Sequence, residues 1–239
     1  MTAAGAGSLV SFPLLVAAGL PPLVANTSTN VGLVPGGLAG SFGFRRELAE
    51  HPALVTRVAV TSAAGALAGG VLLLVLPASS FDVVVPYLVL VAATLVGLGP
   101  LISRALTRRA LRRGIEPGPD RVSMGPRLTG ASTVVGVYGG YFGAAQGVLL
   151  VALLALTLDV PLTTVNGLKS IAIVSANLAA TVVFVLFAPL DWAAVGLIAV
   201  GSVTGAWLGA HVGRRLPPSV FRALVVVFGW VVGVRLLLT

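Results

Sequence analysis

Apolar residues run through this chain in long blocks, near 5–20, 23–43, 53–76 and 81–103 and again near 128–158, 162–188, 191–213 and 218–238, with polar, proline-rich or basic stretches between them. A helix of 18 or more apolar residues spans a hydrocarbon core of about 30 Å. Inside a bilayer, a helix also pairs its own backbone polar groups. The pattern predicts an all-α fold, a polytopic transmembrane helical bundle of about eight hydrophobic segments.

The blocks repeat, and a shift of 140 positions pairs Gly7 with Gly147, Pro21 with Pro161, Asn26 with Asn166 and Phe44 with Phe184. It also pairs Ser62, Gly65, Ala66 and Gly69 with Ser202, Gly205, Ala206 and Gly209, then Leu76, Pro77, Ser79 and Phe81 with Leu216, Pro217, Ser219 and Phe221. Chance matching of apolar residues does not set Asn on Asn and Pro on Pro in one register. The predicted organisation is a first membrane repeat at 1–103, a basic linker at 104–127 and a second repeat at 128–239. The first copy has no counterpart of the stretch Ser132 to Gly140, so its opening helix reads as short. No basic n-region or cleavage pattern of a signal peptide follows Met1.

Composition sharpens this picture. Hydrophobic residues make up 57% and charged residues 9% of the 239 positions, and the mean hydropathy is +1.05. Soluble domains carry about 25% charged residues, so a water-soluble globular domain is excluded. The absence of cysteine removes disulfides, thiolate metal sites and cysteine nucleophiles. A net charge of +8 would suggest nucleic acid if the basic residues formed a patch. Instead Arg104, Arg108, Arg109, Arg112, Arg113, Arg121 and Arg127 crowd the linker, as topogenic charge does on the cytoplasmic side of a membrane. A cell-membrane protein with a cytoplasmic linker and no nucleic-acid partner is expected.

Charge also bears on orientation. With four crossings per copy the repeats would be parallel, and Arg214, Arg215 and Arg222 would lie outside while Arg45, Arg46, Arg57 and the linker lie inside, against the positive-inside bias. If the fifth block breaks in its glycine run, Gly139 to Gly147, and returns without crossing, the second copy inverts and only Arg235 remains on the far side. The inverted arrangement is preferred, because inverted repeats and broken helices are common in carriers.

Candidate chemistry concentrates at two repeat-related helix starts, Pro21-Pro22-Leu23-Val24-Ala25-Asn26-Thr27-Ser28-Thr29-Asn30 and Pro161-Leu162-Thr163-Thr164-Val165-Asn166-Gly167-Leu168-Lys169-Ser170. Helix starts carry unpaired N–H groups and partial positive charge. Two of them facing each other would make a dyadic anion site, the plainer alternative being N-capping. Lys169, the single lysine, lies in an apolar run, where a charge is costly unless paired, hydrated or snorkelling. The candidate substrate-binding residues are Asn26, Thr27, Ser28, Gln146, Asn166 and Lys169. Gln146 and Asn177 also suit interhelical hydrogen bonding. The stripe Gly201, Gly205, Gly209 and Gly213, like Gly65 and Gly69, has the spacing of close helix packing. No carboxylate is centred in an apolar block, and His51 and His211 lack metal-ligand spacing. No hydrolase elbow, zinc-protease pair or phosphate-binding loop occurs. Neither an enzyme nor a cofactor is indicated.

With Phe12-Pro13-Leu14-Leu15, Gly19-Leu20-Pro21-Pro22, Ala25-Asn26-Thr27-Ser28, Val165-Asn166-Gly167-Leu168-Lys169 and Ala176-Asn177-Leu178 in this order, the chain resembles the sulfite exporter TauE/SafE family of membrane permeases over nearly its full length. The segment from Asp191-Trp192 through Gly205-Ala206-Trp207-Leu208-Gly209-Ala210 to Gly213-Arg214-Arg215-Leu216-Pro217 is similar to that family's closing module. The resemblance implies transport of sulfite, organosulfonates or other small anions across the cytoplasmic membrane, coupled to an ion gradient of protons or sodium. The expected function is a secondary transporter of a small anion, with its site near the midplane between the copies. A non-transporting membrane scaffold is the competing reading.

Overall fold

A computed structural model of the chain describes residues 7–112, 123–211 and 218–238. Ten helices occur among them, and no strand: α1 Gly7–Ala17, α2 Pro22–Phe42, α3 Arg45–Ala49, α4 Pro52–Val75, α5 Ala78–Arg112, α6 Pro126–Tyr141, α7 Gln146–Thr157, α8 Leu162–Phe187, α9 Trp192–His211 and α10 Pro218–Leu238. Among the described residues, three stretches are long and apolar enough to cross a membrane, Pro52–Val75, Ala78–Ile102 and Leu162–Phe187. Proline sets several of the starts. Pro22, Pro52 and Pro126 stand in first turns, where the missing N–H costs no hydrogen bond.

Helix directions follow from which residues meet. On α2 and α8, Phe44 just past α2 lies against Gly167 and Gly37 lies against Val174, so one number rises as the other falls and the helices are antiparallel. On α5 and α10, Gly97 meets Val226, Ala93 meets Gly229 and Leu90 meets Gly233, again antiparallel. By contrast α2 and α9 run parallel, with Gly32 on Ile198 and Gly36 on Ser202. All the starts of α4, α6, α8 and α10 therefore gather with the ends of α2, α5, α7 and α9 at one end of the bundle. Arg45, Arg46, Arg57, Arg127 and Arg222 stand on that end, called here the basic end.

The fifth apolar block is a helical hairpin. α6 climbs from the basic end parallel to α4, and α7 returns, so that Met124 and Leu128 at one foot share a buried cluster with Leu154 and Leu158 at the other. The hairpin tip carries Phe142, Ala144 and Ala145 into a second cluster with Leu9, Phe12, Phe81 and Phe184. Two left-handed residues make the reversal: Gly143 at φ 74° and Ala145 at φ 60°. Glycine takes this conformation without strain, whereas alanine adopts it at a cost of order 1–2 kcal/mol. The helix break read from Gly139 to Gly147 is thus present, at residues 142–145.

Glycine is required where α6 lies on α4. A Cβ on Gly65 would strike the carbonyl of Thr133, one on Gly69 the carbonyl of Val137 and one on Gly140 the carbonyl of Ala66. Backbone meets backbone along this seam, as small-residue helix pairs in membranes do. Gly140→Val is expected to cost more than the 1–3 kcal/mol typical of overpacking, because a carbonyl cannot rotate away as a side chain can. The measurement is monodispersity and thermal midpoint in detergent, compared with Gly125→Val, whose site has open space around it.

The packing expectation for the second stripe is corrected. Gly201 and Gly205 have nothing within 4 Å, because α9 turns Ile198 and Ser202 toward α2 and no helix of the described residues lies where α6 lies on α4. The surroundings of Gly209 and Gly213 lie outside the described residues.

Candidate functional site

The two polar helix starts do not face each other. Because α2 and α8 are antiparallel, Asn26 and Lys169 stand near opposite ends of the pair, roughly 25 Å apart at 1.5 Å per helical residue. The expected single pocket lined by all six candidates is replaced by two separate groups, with Gln146 near the α2 start. Neither start is side-chain capped, since Pro21 and Pro161 occupy the cap positions without such a bond. The polar residues lie inside the first turns instead.

At the α2 start the candidate side chains are committed to holding helices together. Asn26 Nδ2 donates to the Tyr141 carbonyl at 3.0 Å, tying α2 to the hairpin tip. Thr27 Oγ1 donates to the Pro189 carbonyl at 2.9 Å, with the Leu23 carbonyl of its own helix also within reach at 3.0 Å. Ser28 Oγ accepts the Asp191 N–H at 2.9 Å, so Thr27 and Ser28 together fix the α8–α9 turn. All three residues are buried. Their chemistry is that of interhelical hydrogen bonds, which satisfy groups that water cannot reach.

The α8 start is different. Asn166 Nδ2 donates back to the Leu162 carbonyl at 2.9 Å, and its Oδ1 accepts from Lys169 Nζ at 3.3 Å. Lys169 is 9% exposed. It sits seven residues into α8, about 10 Å from the helix start, and Asn166 supplies its hydrogen bond. Among the described residues no carboxylate pairs with it. The ammonium has three donors, and one neutral amide oxygen satisfies one of them. Phe44 and Leu48 pack on Gly167 beside it, which closes the apolar wall at the basic end.

Gln146 opens α7 at the hairpin tip. It is 1% exposed, and neither its amide nitrogen nor its amide oxygen has a partner. Its amide lies flat on Gly139, where a Cβ would collide with it. Asn177 is buried within α8. Thr29, Asn30 and Thr181 also hold unpartnered buried oxygens. Thr29 and Asn30 were visible in the sequence as the tail of the first polar cluster. Thr181 gave no signal, because a threonine in an apolar helix ordinarily donates to the carbonyl one turn back. Among the described residues no group of three or more His, Cys, Asp or Glu gathers to hold a metal.

The chain is similar in sequence to proteins named as membrane transporters. A probable membrane transporter protein of Haemophilus influenzae is 25% identical over 235 residues, covering 98% of this chain and 87% of the relative. Probable membrane transporter protein ORF9 of a Sinorhizobium species is 24% identical over 237 residues, 98% of this chain and 85% of its own. Probable membrane transporter protein YfcA of Escherichia coli strain K12 is 24% identical over 235 residues, 98% of this chain and 83% of its own. No solved structure matches the chain. The family model of the sulfite exporter TauE/SafE matches residues 1–236. The helical bundle is therefore a membrane transporter and not an enzyme, and the chain belongs to the sulfite exporter TauE/SafE family.

Proposed function

We propose that the protein is a secondary carrier of a small anion, sulfite or an organosulfonate in class, in the cytoplasmic membrane. The observation that carries this reading is Lys169: a buried cation whose described partner is a neutral amide leaves room for a mobile anion as its counter-charge. Asn166 orients the ammonium, and the arginines of the basic end raise the local anion concentration outside it. That end and the 104–127 linker are assigned to the cytoplasm by the same arginines. A proton or sodium gradient is the proposed driving force.

The carrier reading draws support from the helix arrangement. α2 and α8, α4 and α9, and α5 and α10 begin 140 residues apart, at Pro22 and Leu162, Pro52 and Trp192, and Ala78 and Pro218. The first and last of these pairs run antiparallel. Two copies of one unit in opposite orientation, 1–103 and 128–239, account for both facts. Inverted repeats of this kind give a carrier two equivalent conformations, one open to each side. α1 and the α6–α7 hairpin would then be part-way elements, ending inside the protein where irregular backbone is tolerated.

Purified protein in proteoliposomes is expected to take up labelled sulfite or a short organosulfonate with a rate that saturates. Uptake no faster than in protein-free vesicles for every small anion tested would leave the scaffold reading in its place.

A further inference from the structure

Many helical hydroxyls among the described residues donate to the carbonyl one turn back, as Ser41, Thr56, Thr94, Thr133 and Ser170 do. The exceptions are informative, and four residues with unpartnered buried atoms fall at one level of the bundle. Gln146 is the first, with both amide atoms unmet at 1% exposure. It rests on Gly139, two residues from Tyr141, whose carbonyl holds Asn26. One turn further along α2 stand Thr29 and Asn30, with Thr29 Oγ1 and Asn30 Oδ1 unmet at 2% and 9% exposure. The α2–α8 seam steps in sevens, Phe44 on Gly167 and then Gly37 on Val174. The next step sets Asn30 opposite Thr181, whose Oγ1 is also unmet. Ser62 and Ser132 are unpartnered as well, but they lie in the α4–α6 seam, where Gly136 presses on the Ser62 backbone and leaves no space for a ligand.

We propose that Gln146, Thr29, Asn30 and Thr181 form a second anion station at the hairpin tip, distinct from Lys169, and that it takes a small oxyanion retaining one proton. This rests on the anion reading of the protein. Buried polar atoms without partners carry the full penalty of desolvation, so a group of them around a helix N-terminus marks where a polar guest is accommodated. The station is neutral and mixed. Gln146 Nε2, Asn30 Nδ2 and the two hydroxyls can donate to anion oxygens, while Gln146 Oε1 and Asn30 Oδ1 only accept. A singly protonated oxyanion answers both kinds of group. A dianion would set its oxygens against two carbonyl oxygens with no proton between them, and a site whose polar groups go unpaired discriminates strongly. The path then runs from a cationic station near the basic end to a neutral one deeper in, which lets the anion leave the lysine.

The test uses labelled sulfite uptake by the full chain in proteoliposomes, at mildly acidic pH where sulfite carries one proton. Gln146→Leu and Gly139→Ala are each expected to raise KM about tenfold or more, the effect of losing a hydrogen bond to a charged partner. Gly139→Ala pushes only the far end of a flexible side chain, so it decides the matter if the leucine variant does not reconstitute. Ser132→Ala is expected to keep the wild-type KM, and sulfate, which the tip station does not accept, to compete less well than unlabelled sulfite. Wild-type KM in both tip variants, beside lost uptake in Lys169→Gln, would remove the station, leave its atoms to water and keep the anion reading. Wild-type uptake in all three would remove both. Competition by sulfate equal to that of unlabelled sulfite would overturn the singly protonated class.

Discussion

Lys169→Gln is expected to lose anion transport while keeping, or slightly gaining, stability. In wild type the ammonium sits in an apolar wall with one neutral partner, so it raises the free energy of the empty protein. Removing it relieves that cost, and the glutamine amide still reaches Asn166. For the bound anion the sign is opposite. Losing one member of a buried charge pair costs about 2–5 kcal/mol, roughly a 30-fold or larger loss of affinity. Lys169→Arg keeps the charge on a bulkier planar head and should retain part of the flux. A snorkelling lysine would behave otherwise: both variants would transport as wild type does. The readouts are initial uptake rate and thermal midpoint on the same preparations.

The second expectation is all-or-none and concerns Ser79 and Ser219, which stand 140 positions apart, at matching places in the two proposed copies. Ser79 opens α5, and Ser219 opens α10. Antiparallel packing of these helices puts the two residues at opposite ends of the bundle. The chain has no cysteine, so Ser79→Cys and Ser219→Cys can be labelled without background. An impermeant thiol reagent added to intact cells should modify Ser79→Cys and spare both Ser219→Cys and the linker-side Ser123→Cys. Labelling of Ser79→Cys and Ser219→Cys from the same side would mean parallel copies and would remove alternating access by repeat exchange.

Much of the scaffold was legible in the sequence because membrane burial leaves a coarse signal. Block length named the helices, and proline named several starts. The glycine run announced the break that Gly143 and Ala145 make, although the αL alanine itself has no sequence signature. Arginine placement favours an inverted second copy. The site was less legible for a physical reason. Asn26 and Asn166 match at a shift of 140 positions, yet antiparallel packing of α2 on α8 carries them to opposite ends, and matched positions alone do not say which residues meet in space. Thr27 and Ser28 read as ligand groups because they are polar in an apolar setting, whereas the Pro189 carbonyl and the Asp191 N–H already occupy them. The stripe at Gly201 and Gly205 misled for a related reason: spacing shows that a helix could approach, and only the fold shows whether one does.

Counterflow tests the carrier account most directly. Proteoliposomes loaded with unlabelled sulfite and diluted into a trace of labelled sulfite should accumulate label transiently above its equilibrium level, because a carrier that exposes its site to one side at a time exchanges anion for anion. The same vesicles made with Lys169→Gln should not. Label that merely equilibrates, at a rate indifferent to internal sulfite and equal in the two proteins, would contradict an alternating anion carrier built around Lys169.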